Sequence, residues 1–137
     1  PAPRLPPIEA VLVNPGVEVS TPAVYRALDA SAAFGDVTPP PTPEVFESVE
    51  ELAAWLGFTR NDLEAPAIAL APAIGDVLAV LRAEPQVLFA RMSGSGATCF
   101  AICPGDLEAN ALAEQLGALR PDWWVARCRL GGPWPEA

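Results

Sequence analysis

Arg91-Met92-Ser93-Gly94-Ser95-Gly96-Ala97-Thr98 stands between two short apolar runs, and it is the most informative segment of the chain. Val87-Leu88-Phe89-Ala90 comes before it, after the breaker Glu84-Pro85. Cys99-Phe100-Ala101-Ile102-Cys103 comes after it and stops at Pro104-Gly105. Both runs have strand length and bounding breakers, so the segment reads as strand, glycine loop, strand. Gly94 and Gly96, with Ser95 between them, let backbone N–H groups turn toward one concave spot without Cβ obstruction. Ser93, Ser95 and Thr98 add hydroxyl donors around that spot, which suits a phosphate. No Gly-Lys-Ser/Thr closes the loop and a strand rather than a helix follows, so it is not a Walker A motif. A glycine-rich hairpin turn without any ligand is the other reading these residues allow.

The 137 residues suit one domain large enough to bury a core without disulfides. With 51% hydrophobic and 18% charged residues the chain should fold rather than stay disordered. A net charge of −9 argues against nucleic acid, whose phosphates need a basic face, and against an anionic membrane surface. All 8 basic residues are arginine; lysine and histidine are absent. The usual general base and the usual lysine phosphate clamp are therefore missing, so whatever this chain binds, it is not expected to carry out the chemistry alone. The three cysteines, at 99, 103 and 128, sit in apolar runs and read as buried small hydrophobes. They provide neither a metal-ligand set nor the even count of a disulfide framework, so a reducing cytoplasmic location and no metal are expected. No run approaches the roughly 18 apolar residues of a membrane span, and no signal peptide is visible. The start at Pro1, without Met, suggests processing or excision from something longer.

Residues 1–7 are proline-rich and read as a linker tail, residues 8–132 as the domain, and residues 133–137 as a second tail. Residues 8–13 form an expected strand that ends at the turn signal Asn14-Pro15-Gly16. Thr21 is expected to cap a helix with Pro22 at its first position and Val24, Tyr25 and Leu28 on one face. Residues 35–43 hold Pro39-Pro40-Pro41 and read as a loop. Ser48-Val49-Glu50-Glu51 is a capping box that opens a helix through Leu52, Trp55 and Leu56, ending at Gly57. Asn61-Asp62-Leu63-Glu64 opens a further helical stretch, interrupted by Pro66 and Pro72, with Asn61 as cap and Glu64 completing a box. Ile74, Val77, Leu78 and Leu81 form the clearest helical stripe. Asp106 caps the next helix, marked by Leu107, Leu112 and Leu116. Residues 123–130 are the last strand, with Trp124, Ala126, Cys128 and Leu130 expected toward the core. The tandem Trp123-Trp124 reads as packing aromatics rather than a ligand cage. The order β, helices, β-β, α, β predicts an α+β, ferredoxin-like fold. It would have about four antiparallel strands, helices on one face and an enlarged first crossover.

Three separated segments resemble one family. Leu12-Val13-Asn14-Pro15-Gly16 running to Ser20-Thr21-Pro22-Ala23-Val24-Tyr25, and Arg60-Asn61-Asp62-Leu63-Glu64, are similar to the C-terminal domain of the 4-diphosphocytidyl-2-C-methyl-D-erythritol kinases. The glycine octet resembles the third motif of the wider GHMP kinase superfamily. The resemblance runs from about Ile8 to Leu130. It implies the C-terminal half of an ATP-dependent enzyme that phosphorylates the 2-hydroxyl of a cytidyl-diphosphate substrate in non-mevalonate isoprenoid biosynthesis. It also implies that ATP and Mg²⁺ are held mainly by an N-terminal domain absent from this chain, which carries the long glycine loop and the catalytic aspartate and lysine. By the same resemblance, Tyr25 would stack on the cytosine and Thr21 would face the substrate. The loop Ser93, Gly94, Ser95, Gly96, Ala97 and Thr98 would close on the phosphates. The alternative is a stand-alone ferredoxin-like module that binds a small ligand, or regulates, without activity.

Overall fold

The computed structural model describes residues 7–31, 45–59, 61–94 and 96–130. The chain runs β1 (Ile8–Asn14), α1 (Thr21–Ser31), α2 (Val49–Leu56), α3 (Glu64–Leu70), α4 (Pro72–Ala83), β2 (Phe89–Met92), β3 (Cys99–Cys103), α5 (Asp106–Leu119) and β4 (Trp124–Leu130). The four strands form one antiparallel sheet in the order β2-β3-β1-β4. This is the predicted ferredoxin-like plan, with α1 to α4 filling the first crossover. The expected tails and the loop over residues 35–43 fall outside the described residues, apart from Pro7, which is exposed.

Local chemistry accounts for the helix limits. Ser48 caps α2, its Oγ accepting the Glu51 N–H at 3.1 Å, and Glu51 reaches back to the Glu47 N–H at 3.3 Å. α1 begins one residue earlier than expected. Ser20, not Thr21, supplies the cap: its Oγ accepts the Ala23 N–H at 3.3 Å and its carbonyl accepts the Val24 N–H. Pro66 lies in the first turn of α3 and Pro72 opens α4, positions where a missing N–H removes no helical bond. Asp106 is the first residue of α5 rather than its cap; Gly105 holds that place.

The helices divide between the two faces of the sheet, a correction to the one-sided arrangement expected. Val11 and Val13 of β1 and Cys99, Ala101 and Cys103 of β3 pack under α4 and α5, with Val24 of α1 and Ala67 of α3 completing that core. On the opposite face Ile8 and Ile102 meet Val49 and Leu52 of α2, with Phe46, Phe89 and Phe100 around them. The edge strand β4 is also turned over relative to expectation. Trp123 is buried and Val125 packs in the larger core, while Trp124 is 56% exposed. Register explains this: Val13 pairs with Val125, Val11 with Arg127 and Glu9 with Arg129, which puts both arginines on the side of Glu9. Glu9 is buried and its carboxylate accepts from Arg127 and Arg129 at 2.6 Å each, so a charge on the helix side of β4 is compensated. Tyr25 and Leu107 likewise point outward, leaving Val24 and Leu28 to bury α1 and Ala109, Leu112 and Leu116 to bury α5.

Candidate functional site

One end of the sheet gathers the unusual backbone. The turn after β1, the N-terminus of α1 and the glycine loop between β2 and β3 all lie there. Asn14 organises the turn: its Oδ1 accepts the Gly16 N–H at 2.8 Å, and Gly16 takes φ +81°. The Asn14 Nδ2 donates to Thr98 Oγ1 at 3.1 Å across 84 residues of sequence, tying the turn to the loop.

Within the loop the Ser93 N–H donates to the Thr98 carbonyl at 2.8 Å, and the Gly96 N–H donates to the Ser93 carbonyl at 3.1 Å. Gly94 and Gly96 take φ +57° and +97°, conformations that explain why glycine stands at both. Their surroundings differ. A Cβ at Gly94 would meet open space, whereas one at Gly96 would lie 3.0 Å from Met92 Sδ and 3.2 Å from Ile74 Cδ1. The loop therefore rests on the core at Gly96 and Ala97 and is open to solvent at Ser93 and Gly94.

A second segment braces the loop from below. Asn61 Nδ2 donates to the carbonyls of Met92, at 3.1 Å, and Gly94, at 2.7 Å. Its Oδ1 accepts the Leu63 N–H at 3.0 Å. Glu64 Oε2 accepts the Met92 N–H at 3.3 Å, and Oε1 pairs with Arg82 at 3.1 Å. Asn61 thus makes a local turn rather than capping α3, and Glu64 reaches the loop strand rather than back along its own helix.

The loop faces a shallow cleft of about 570 Å³ lined by Val17, Glu18, Val19, Ser20, Gly96 and Ala97. The structure brings Gly96 and Ala97 into this cleft, with Thr98 held beside it by Asn14. Thr21 follows the lining residue Ser20 directly, as the first residue of α1. Tyr25 lies one turn further on and is 51% exposed, so its ring is not part of the buried face of the helix. Ser95 lies outside the described residues. Among the described residues no group of three or more His, Cys, Asp or Glu side chains is placed to hold a metal ion.

Comparison with known proteins identifies the surroundings in which this geometry occurs. The family described as GHMP kinases C terminal matches residues 42–121, more than half of the chain. The chain belongs to the GHMP kinase C-terminal family. A 4-diphosphocytidyl-2-C-methyl-D-erythritol kinase of Caulobacter sp. (strain K31) is 63% identical over 134 residues, covering 97% of this chain and 46% of that protein. The kinase of the same name from Hyphomonas neptunium is 53% identical, covering 96% and 45%. The chain thus spans less than half the length of these relatives. A crystal structure of 4-(cytidine 5'-diphospho)-2C-methyl-D-erythritol kinase is 35% identical with a TM-score of 0.70, covering 95% of this chain and 45% of that one. The L. major mevalonate kinase, at 14% identity and TM-score 0.63, shares the fold. No helix among the described residues is long and apolar enough to cross a membrane.

Proposed function

We propose that this chain is the substrate- and phosphate-side half of an ATP-dependent kinase that acts on 4-diphosphocytidyl-2-C-methyl-D-erythritol. The observation that carries the reading is the loop itself. Gly96 and Ala97 stand across a cleft from the segment that leads into α1, and an exposed Tyr25 follows one turn later. The identity to kinases of that name over 97% of the chain supports it and does not favour a stand-alone regulatory module.

The division of labour follows from the residues present. ATP would supply the phosphoryl group and Mg²⁺ would offset charge on it, both held mainly by the N-terminal half of the longer protein. Among the described residues that line the cleft, the one charged side chain is the carboxylate Glu18. What the chain contributes is position. The Ser93 and Gly96 amides close the loop on itself, and the loop residues Ser93, Gly94, Ser95, Gly96, Ala97 and Thr98 are assigned to the phosphate side. Tyr25 stacks on the cytosine, a contact worth about 1–3 kcal/mol that needs no charge, and Thr21 faces the substrate. The substrate's 2-hydroxyl attacks the terminal phosphorus and ADP leaves. The hydroxyl proton would pass to a base on the other half, and the enzyme is assigned to the cytoplasm.

The test is the full-length protein, assayed for ATP-dependent phosphorylation of the cytidyl substrate. Tyr25→Ala should raise KM for that substrate by about tenfold or more while KM for ATP changes little, because stacking belongs to the base. Equal effects on the two substrates would remove Tyr25 from the site. Absence of product from the wild-type protein would overturn the reading.

A further inference from the structure

We propose that Asn61 is a positioning residue of the glycine loop, acting through its side-chain amide; the kinetic part of this inference rests on the proposed kinase function. The loop's own hydrogen bonds tie Ser93 to Thr98 and Gly96 to Ser93, and both are internal. They close the loop but do not fix where it stands relative to the sheet end. Asn61 does. Its two amide hydrogens reach two carbonyls, those of Met92 and Gly94, which bracket the exposed Ser93. Because a peptide unit is planar, holding its carbonyl fixes the direction of the amide that follows, here the Ser93 N–H that closes onto Thr98.

The side chain has one orientation that satisfies these contacts. Oδ1 must accept the Leu63 N–H, which leaves Nδ2, the donor, against the two carbonyl oxygens. The same asparagine therefore holds a local turn with its oxygen and the loop with its nitrogen. Glu64 steadies the arrangement by accepting the Met92 N–H, and Arg82 holds Glu64 while also donating to the Ala90 carbonyl at 3.1 Å. The loop is thereby fixed to the start of α3, and through Arg82 to α4, before any ligand arrives. Such preorganisation contributes to the transition state more than to substrate binding.

Two variants of the full-length protein separate the two ends of this side chain. Asn61→Asp keeps an oxygen for the Leu63 N–H but sets a second acceptor against two carbonyls. Asn61→Ala removes both functions. The expected result for Asn61→Asp is a kcat lower by about tenfold or more, with both KM values within about threefold and a melting temperature close to that of the wild type. Amide hydrogen exchange at Gly96 in the same protein should be faster by about tenfold or more, because the hold on the Met92 and Gly94 carbonyls is lost and only the Asn14–Thr98 tie remains. If Asn61 serves only the turn, Asn61→Asp behaves as wild type in kcat and in exchange and only Asn61→Ala is impaired, and that result would overturn the inference. The exchange measurement stands apart from the enzymology. A wild-type protein without kinase activity would end the functional reading, and the Gly96 exchange in Asn61→Asp would still decide for or against the hold on the loop.

Discussion

At the scale of single residues, the two loop glycines carry different constraints although both take positive φ. Gly94 faces open space, so Gly94→Ala meets only the backbone cost of a left-handed residue, about 1–2 kcal/mol. Gly96 meets that cost and a steric one, because Met92 and Ile74 are fully buried and lie within 3.2 Å of any added Cβ. Gly96→Val should therefore destabilise the fold by about 2–4 kcal/mol, combining strain and overpacking. It should also lower kcat in the full-length protein well beyond the loss of folded molecules. Thermal melts and activity per folded molecule, measured on both variants, check this; a Gly96→Val protein with full activity per folded molecule would make the loop a plain turn. The need for glycine was legible in the Gly-Ser-Gly pattern. The contact with Ile74 was not, because it joins residues 22 positions apart that only tertiary packing brings together.

At the scale of elements, strong local signals transferred well. The Ser48 box, the α4 stripe and the apolar run of β3 each became the element expected, because caps and periodicity act within a few residues. The start of α1 shifted, since Ser20-Thr21 offers two adjacent cap residues and the sequence cannot rank them. Ser20→Ala should lower stability by about 0.5–2 kcal/mol, the usual loss for a removed cap, with the effect seen as a lower urea midpoint at unchanged slope. An unaltered midpoint would return the cap to Thr21. The inversion of β4 has a different origin. Residues 123–130 alternate with aromatic or apolar groups on both sides, so periodicity alone does not say which side faces the helices. The tie is broken by Glu9, 118 and 120 residues away, whose carboxylate holds Arg127 and Arg129. The brace from Asn61 to the loop escaped for the same reason: its local turn was visible, but its partners lie 31 and 33 residues on.

At the scale of the whole molecule, the fold buries two of its three thiols, Cys99 and Cys103, as their apolar surroundings in sequence suggested, whereas Cys128, on the outward-turned side of the inverted β4, is only half-buried. Cys99 and Cys103 are fully buried beneath α4 and α5 and free of disulfides. Burial, with Glu64 adding to it, pushes the Cys99 thiol up to about 12; burial and Glu108 push Cys103 up to about 11. Both ordinarily ionise near 9. Between the unfolded and folded values the unfolded chain loses these protons while the folded chain keeps them, so the unfolded state binds fewer protons and stability falls as pH rises. The contribution is fully present below pH 9 and is lost progressively toward pH 11–12, at up to about 1.4 kcal/mol per pH unit for each thiol. Urea unfolding at pH 8, 9, 10 and 11 should show this decline, and the double variant Cys99→Ala/Cys103→Ala should show a shallower one while starting from a somewhat lower stability at pH 8. The variant removes the two titrations but also small buried side chains, so the slope against pH, not the absolute value, carries the test. Parallel slopes for the two proteins would mean that the alkaline loss comes from other groups, and that these thiols ionise in the folded chain much as they do in the unfolded one.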